Sequence, residues 1–185
     1  MKQALLLHLR RFAKNEDGVG MTEALMMLPL MLWAYLALFV YWDAYRTQNT
    51  AVKATFTISD MLSRELNPVD DNYINGMKLV FDYLLNSDQA TRMVVSSVTW
   101  NEADKKYVVE WSEARGTGAT ARAVGKMVTK TDKMPKMSDG DTVIVVETSM
   151  HYEPSLNVGV PVFDMNEFVV TRPRRTPRIG FDAGV

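Results

Sequence analysis

The 185-residue chain has no cysteine and only two histidines. Without cysteine there are no disulfides, no thiolate metal sites and no thiol nucleophile, and the redox compartment stays open. His8 and His151 stand alone, with no H-x-x-x-H pair and no G-x-S-x-G elbow anywhere in the chain. Charge is nearly balanced, 21 Lys and Arg against 22 Asp and Glu, so no electrostatic footprint for nucleic acid is expected. An enzyme reading would require carboxylates such as Glu110, Glu113 and Asp141 to converge in a cleft, and their spacing gives no reason for it. No catalytic residue, metal or cofactor is expected.

What the chain does have is one long hydrophobic run. From Ala24 to Trp42 there are nineteen consecutive residues without a charge, and only Pro29 among them is not apolar. As a helix this stretch would be about 28 Å long at 1.5 Å per residue, close to the hydrocarbon thickness of a bilayer. A basic segment (Lys2, Arg10, Arg11, Lys14) precedes it, and Arg46 and Lys53 follow. The excess of cations on the N-terminal side predicts a cytoplasmic N-terminus and an exported C-terminal part. A cleaved secretory signal fits poorly, because the apolar core is too long and Asp43-Ala44-Tyr45 is no A-x-A site.

Glu23 lies at the N-terminal edge of the run, where a carboxylate costs less than the roughly 2.5–3.5 kcal/mol of the bilayer centre. It stands five residues after Gly18. Gly-x-x-x-x-Glu followed by an apolar helix is the pattern that type IV prepilin peptidases read. With RRFAKNEDG-VGMTEALMMLPLMLWAYLAL, including Arg-Arg-Phe, the Glu16-Asp17 pair and Pro29 six residues after Glu23, the chain resembles the TadE/TadG-type pseudopilins of the bacterial tight-adherence (Flp pilus) systems. VIVVETSMHYEPSL and RPRR near the C-terminus are similar to that family's β-rich tail.

The resemblance implies a minor pilin-like subunit of the inner membrane, with a periplasmic domain and potential incorporation into the pilus. It implies cleavage after Gly18, with Val19 as the new N-terminus, and a role for Glu23 and Pro29 in subunit assembly. The implied partners are the prepilin peptidase, other pilins or pseudopilins, the pilus assembly machinery and membrane lipid. A cut after Gly20 would make Glu23 the third residue and break the pattern. Two rival readings are an uncleaved bitopic inner-membrane protein with an exported binding or scaffold domain, and a membrane-anchored exported enzyme.

The fold class expected is α+β: a long N-terminal transmembrane helix, then a small domain with an antiparallel sheet. Residues 1–18 are read as leader, 19–66 as the transmembrane and extended amphipathic helix, and 67–185 as the exported domain. In the amphipathic half, Val52, Phe56, Ile58 or Ser59, Leu62 and Leu66 form the expected apolar stripe, and Asn67-Pro68 the stop. Asp70-Asp71-Asn72 suits the N-cap of a second helix over Tyr73–Asn86. Strands are expected over Met93–Trp100, Lys106–Ser112, Thr142–Tyr152 and Asn166–Arg172, the first two joined as a hairpin. Alternation in the second places Tyr107, Val109 and Trp111 on one face. The basic Gly-containing segment 114–140 reads as an exposed loop with a helical turn near Ala121–Val128, and the arginine-rich tail as a solvated terminus.

Overall fold

The computed structural model describes residues 18–86, 88–126, 128 and 131–183. The expected leader, apart from Gly18, lies outside the described residues. Two compact units are present: one contains the helix up to Trp42 together with the loop Ser155–Val160, the other holds 43–154 and 161–185.

Helix α1 runs unbroken over Val19–Ser63 and takes Pro29 into its interior. It is long and apolar enough to cross a membrane. It ends where Arg64 N and Glu65 N turn back to the carbonyls of Met61 and Leu62, three residues short of the expected end at residue 66. Short strand β1 (Val69–Asp70) leads into helix α2 (Asp71–Leu85). As the sequence predicts, an aspartate caps α2: the Asp70 side chain accepts from Tyr73 N at 2.7 Å. Asn86, in the left-handed conformation at φ 46°, closes the other end.

Four strands follow: β2 (Thr91–Asn101), β3 (Lys106–Gly116), β4 (Thr142–Tyr152) and β5 (Phe163–Thr171). They form an antiparallel sheet in the order β3-β2-β4-β5. The β2–β3 hairpin turns at Asn101–Lys105, where Asn101 Oδ1 accepts from Asp104 N. A final short strand, β6 (Phe181–Asp182), pairs parallel with β1.

One face of the sheet carries the main core. Met93, Val95, Trp111, Ile144, Val146 and Met150 meet Ala51, Ala54, Ile58 and Leu62 of α1 and Ile74, Met77 and Phe81 of α2. The α1 stripe keeps Ile58, Ser59 and Leu62 of the one expected but differs elsewhere. Ile58 is 0% exposed, but Phe56 is 58% exposed and Leu66 57%, and the contact is completed by Ala51, Ala54 and Thr55. Small side chains let the helix lie close to the sheet, near enough for Thr55 and Thr148 to share a hydrogen bond of 2.6 Å.

A β-bulge explains the second difference. Ser97 pairs with Trp111 but the next residue, Val98, pairs with Val109, so Glu110 has no partner on β2. The extra residue reverses the alternation. Trp111 therefore joins the helix-covered face, whereas Val109 and Tyr107 pack on the other side with Val98, Val128, Val143 and Val145.

That second cluster also changes the reading of segment 114–140. Its first residues extend β3 to Gly116, and the described residues of 121–128 form no helical turn. The chain instead runs back along the outer edge of β3, with Gly125 N on Val109 O, Val109 N on Lys126 O and Val128 N on Tyr107 O. Val128 and Met134 are buried there. The segment covers a sheet edge that would otherwise be an open template for pairing.

The arginine-rich tail is likewise not a loose terminus. Arg174 N donates to Ser63 O, the last carbonyl of α1, and its guanidinium meets Asp60 at 3.0 Å. Arg172 pairs with Asp141. Ile179 is buried, and its carbonyl accepts from Trp111 Nε1 at 2.8 Å.

Two expected outcomes check this packing. In denaturant unfolding of the full chain in mild detergent, Ile58→Ala loses about 2–5 kcal/mol while Phe56→Ala stays within about 0.5 kcal/mol. Gly116→Ala also destabilises, because its φ is +102° and a Cβ there would clash with the Thr91 carbonyl oxygen.

Candidate functional site

The first candidate is the N-terminal part of α1. The backbone turns helical immediately after Gly18, whose carbonyl accepts from both the amide (3.1 Å) and the hydroxyl (2.7 Å) of Thr22. Gly18, Val19 and Glu23 are all exposed, and no Cβ-sized obstacle lies within 4 Å of Gly18. Val19 opens the helix and Glu23 stands one turn further along, with no ion pair among the described residues. Pro29 brings no N–H, so the carbonyl of Leu25 lacks the helical donor it would otherwise have.

Beyond Glu23 the helix is apolar on all sides and open on nearly all of them. Leu25, Met26, Met27, Leu28, Leu30, Met31, Leu32, Trp33 and Tyr35 are exposed. A soluble monomer rarely leaves an apolar patch of this extent uncovered. The four residues singled out in the sequence, Gly18, Val19, Glu23 and Pro29, thus lie on one exposed helical segment spanning about 16 Å at 1.5 Å per residue.

At the other end of the apolar run stands a contact that no sequence motif announces. Asp43, the first charged residue after Trp42, accepts from the Tyr152 hydroxyl at 2.9 Å. Tyr152 is the last residue of β4, 109 positions away, and its ring packs against Phe163. Burial, then the bond to the Asp43 carboxylate, pushes the Tyr152 phenol up to about 12.

A second cluster lies on the sheet. Cross-strand pairing places His151 opposite Asp164, with Nδ1 2.8 Å from Oδ1, and Arg92 Nη2 reaches the other carboxylate oxygen at 2.7 Å. The His151 bond, with Arg92 beside it, holds the Asp164 carboxyl below its usual range. These side chains border an open recess of about 200 Å³ with Thr91, Thr117 and Ser149. That is small beside the roughly 300–1,000 Å³ of most ligand clefts. Register alone creates the cluster, since its members lie on three strands, and no sequence motif announces it.

The carboxylates of the enzyme reading do not converge. Glu110 is exposed at the bulge, Glu113 is bound by Arg115 at 2.8 Å, and Asp141 pairs with Arg172 and accepts from Ser138 N. Among the described residues, no group of three His, Asp or Glu side chains could hold a metal. The two arginines of the Gly-containing segment are also engaged: Arg115 with Asp71 and Glu113, Arg122 with Glu147.

The Tyr152–Asp43 contact yields a pH prediction. A phenol whose pKa is raised on folding stabilises fully below its unfolded value near 10, and the contribution is lost as pH rises through about 12. Tyr152→Phe should therefore lower stability by about 1.5–3 kcal/mol at neutral pH. The gap between the two proteins, followed by denaturant unfolding, should narrow from pH 10 towards 12. Comparison of the chain with family models, with curated proteins and with solved structures finds no match.

Proposed function

We propose that this chain is a minor pilin-like subunit in the assembly of tight-adherence pili, anchored in the inner membrane by α1 and processed after Gly18 by a prepilin peptidase. The observation that carries the reading is the beginning of α1: an exposed glycine at the helix start, a carboxylate five residues later, and an apolar surface open on nearly every side beyond it.

Each part has a physical task in this reading. Gly18 leaves the backbone accessible to a protease, which must draw its carbonyl away from Thr22. Cleavage removes Lys2, Arg10, Arg11 and Lys14, the cations that hold the N-terminus in the cytoplasm. It also creates a free α-amine at Val19. Glu23 is costly in lipid, and the α-amine of a neighbouring subunit would neutralise it, drawing the helices together in register. Such a pair contributes much only when close and poorly solvated. The apolar sides of α1 would then pack against other pilin helices, while the α+β domain, exported to the periplasm, selects the neighbours.

The experiment is the intact mass and N-terminal sequence of the protein from membranes, with and without the peptidase. The expected result is a peptidase-dependent terminus at Val19, abolished by Gly18→Leu. Glu23→Gln should leave cleavage intact and reduce incorporation into pili. A terminus at Met1 in both samples would overturn the proposal and favour the uncleaved bitopic scaffold.

A further inference from the structure

Within the apolar run of α1, three residues lose solvent. Leu36 and Ala37 are half-buried and Val40 is only 1% exposed, whereas Leu38, Phe39, Tyr41 and Trp42 remain open. The three share one side of the helix at i, i+1 and i+4 spacing. The described segment that forms a compact unit with this part of the helix is the loop Ser155–Val160, between β4 and β5.

The composition of that loop is unusual for a surface connection. From Pro154 to Phe163 the sequence PSLNVGVPVF has no charged residue, and Glu153 and Asp164 stand just outside it. Val160 is buried, but Leu156 is 41% exposed with nothing polar to explain it. The backbone turns tightly, with Val158 N on Leu156 O at 3.0 Å and Gly159 at φ +103°.

We propose that this loop is a second membrane contact, embedded beside α1 at the boundary between headgroups and acyl chains on the exported side. The proposal rests on the membrane-spanning reading of α1. The depth follows from the helix. Tyr41, Trp42 and Tyr45 are exposed aromatic residues of the kind that gather at a membrane–water interface. Leu36 to Val40 precede Trp42 by six to two positions, about 9 to 3 Å of helix on the membrane side of it. A loop that shares a compact unit with the helix up to Trp42, where this is the stretch that loses solvent, lies below the aromatic level.

Irregular backbone sets the opposite limit. Unpaired amides and carbonyls do not occur facing lipid in the hydrocarbon core, and Ser155 and Asn157 need polar surroundings. The loop therefore stays at the boundary, its Leu156 side chain towards the acyl chains. An aqueous partner surface is disfavoured by the complete lack of charge. Lipid is favoured by continuity with a helix segment that is itself charge-free.

The chain has no cysteine, so single-cysteine variants need no other change. Leu156→Cys, Leu32→Cys and Lys136→Cys, each carrying a nitroxide label, are compared in the full chain reconstituted into phosphatidylcholine–phosphatidylglycerol vesicles. Relaxation by oxygen, which partitions into lipid, is measured against relaxation by a water-soluble nickel chelate. The expected result is a shift towards oxygen at 156, in the direction shown at 32, with 136 reading as aqueous. Aqueous behaviour at 156 with lipid behaviour at 32 would overturn the loop contact and leave the span intact. Aqueous behaviour at both would remove the span as well. A label at 156 shielded from both reagents, increasingly so at high protein density, would assign the surface to a second copy and also overturn the proposal.

Discussion

Ala51, Ala54, Thr55, Ile58 and Leu62 form the face of α1 on which the α+β domain is assembled. The same helix must satisfy two kinds of surroundings. From Ala24 to Trp42 it is apolar on every side, and only Leu36, Ala37 and Val40 mark one side as covered. From Asp43 onwards one side is buried and the other is mostly polar, with Tyr45 and Phe56 the large apolar exceptions, so its rotation is fixed by the sheet. The small residues decide how closely it approaches, and Thr55 places a hydroxyl where Thr148 of the sheet can share its bond. The buried hydroxyl pair adds specificity: rotating the helix by one residue would take this partner from the Thr148 hydroxyl, at about 1–3 kcal/mol, while Thr55 keeps its own bond to Ala51 O. Arg174 N, donated to the carbonyl of Ser63, holds the end of the same helix with a segment more than a hundred residues later in the chain.

The sheet meets the helix on one face and a loop on the other, and the bulge at Glu110 lets both be buried by one pair of strands. Strict alternation would give β3 one apolar face bearing Tyr107, Val109 and Trp111, and leave one of the two clusters without its aromatic residue. With one extra residue, Trp111 reaches the helical side and bonds Ile179 O, while Tyr107 stays on the other side and donates to Pro135 O. The returning chain, at 122–126 and at Val128, then finds an apolar patch to cover as it closes the edge of β3. Each aromatic residue so placed ties down a connection that has no regular structure of its own.

What could be read from the sequence follows the range of the interactions. The start of α1, the Asp70 cap and the β2–β3 hairpin depend on residues a few positions apart, and the sequence carries them plainly. The apolar run announces a helix long enough to span a membrane through length alone. The buried stripe of α1 could be read only in part: Ile58, Ser59 and Leu62 are buried as expected, but Phe56 is the more apolar residue and yet Ala51, Ala54 and Thr55 are buried in its place. Closeness to the sheet selected size over hydrophobicity. The bulge is a one-residue event visible only in pairing register, and the engagement of the C-terminal tail needs Ser63 and Asp60 in place before its arginines have anything to meet. For the candidate site, Gly18, Val19, Glu23 and Pro29 are legible as a local pattern. Tyr152–Asp43 and His151–Asp164–Arg92 are made by the fold and leave no trace in spacing.

The two ends of the apolar run constrain assembly in different ways on the proposed reading. At the Glu23 end nothing among the described residues satisfies the carboxylate, so pairing with a neighbour relieves a cost that lipid alone leaves standing. At the Asp43 end the carboxylate is already bonded to Tyr152, and it offers a neighbour no comparable gain. Leu36, Ala37 and Val40 are likewise already covered on one side. The open surface for helix–helix packing therefore lies mainly between Val19 and Tyr35, on the same stretch as the unpaired charge. Concentrating both the apolar surface and the electrostatic cost there means that one association step relieves them together, and a neighbour out of register by a turn would bury the surface while leaving Glu23 unpaired. Register, on this account, follows from charge, and affinity from the apolar sides around it.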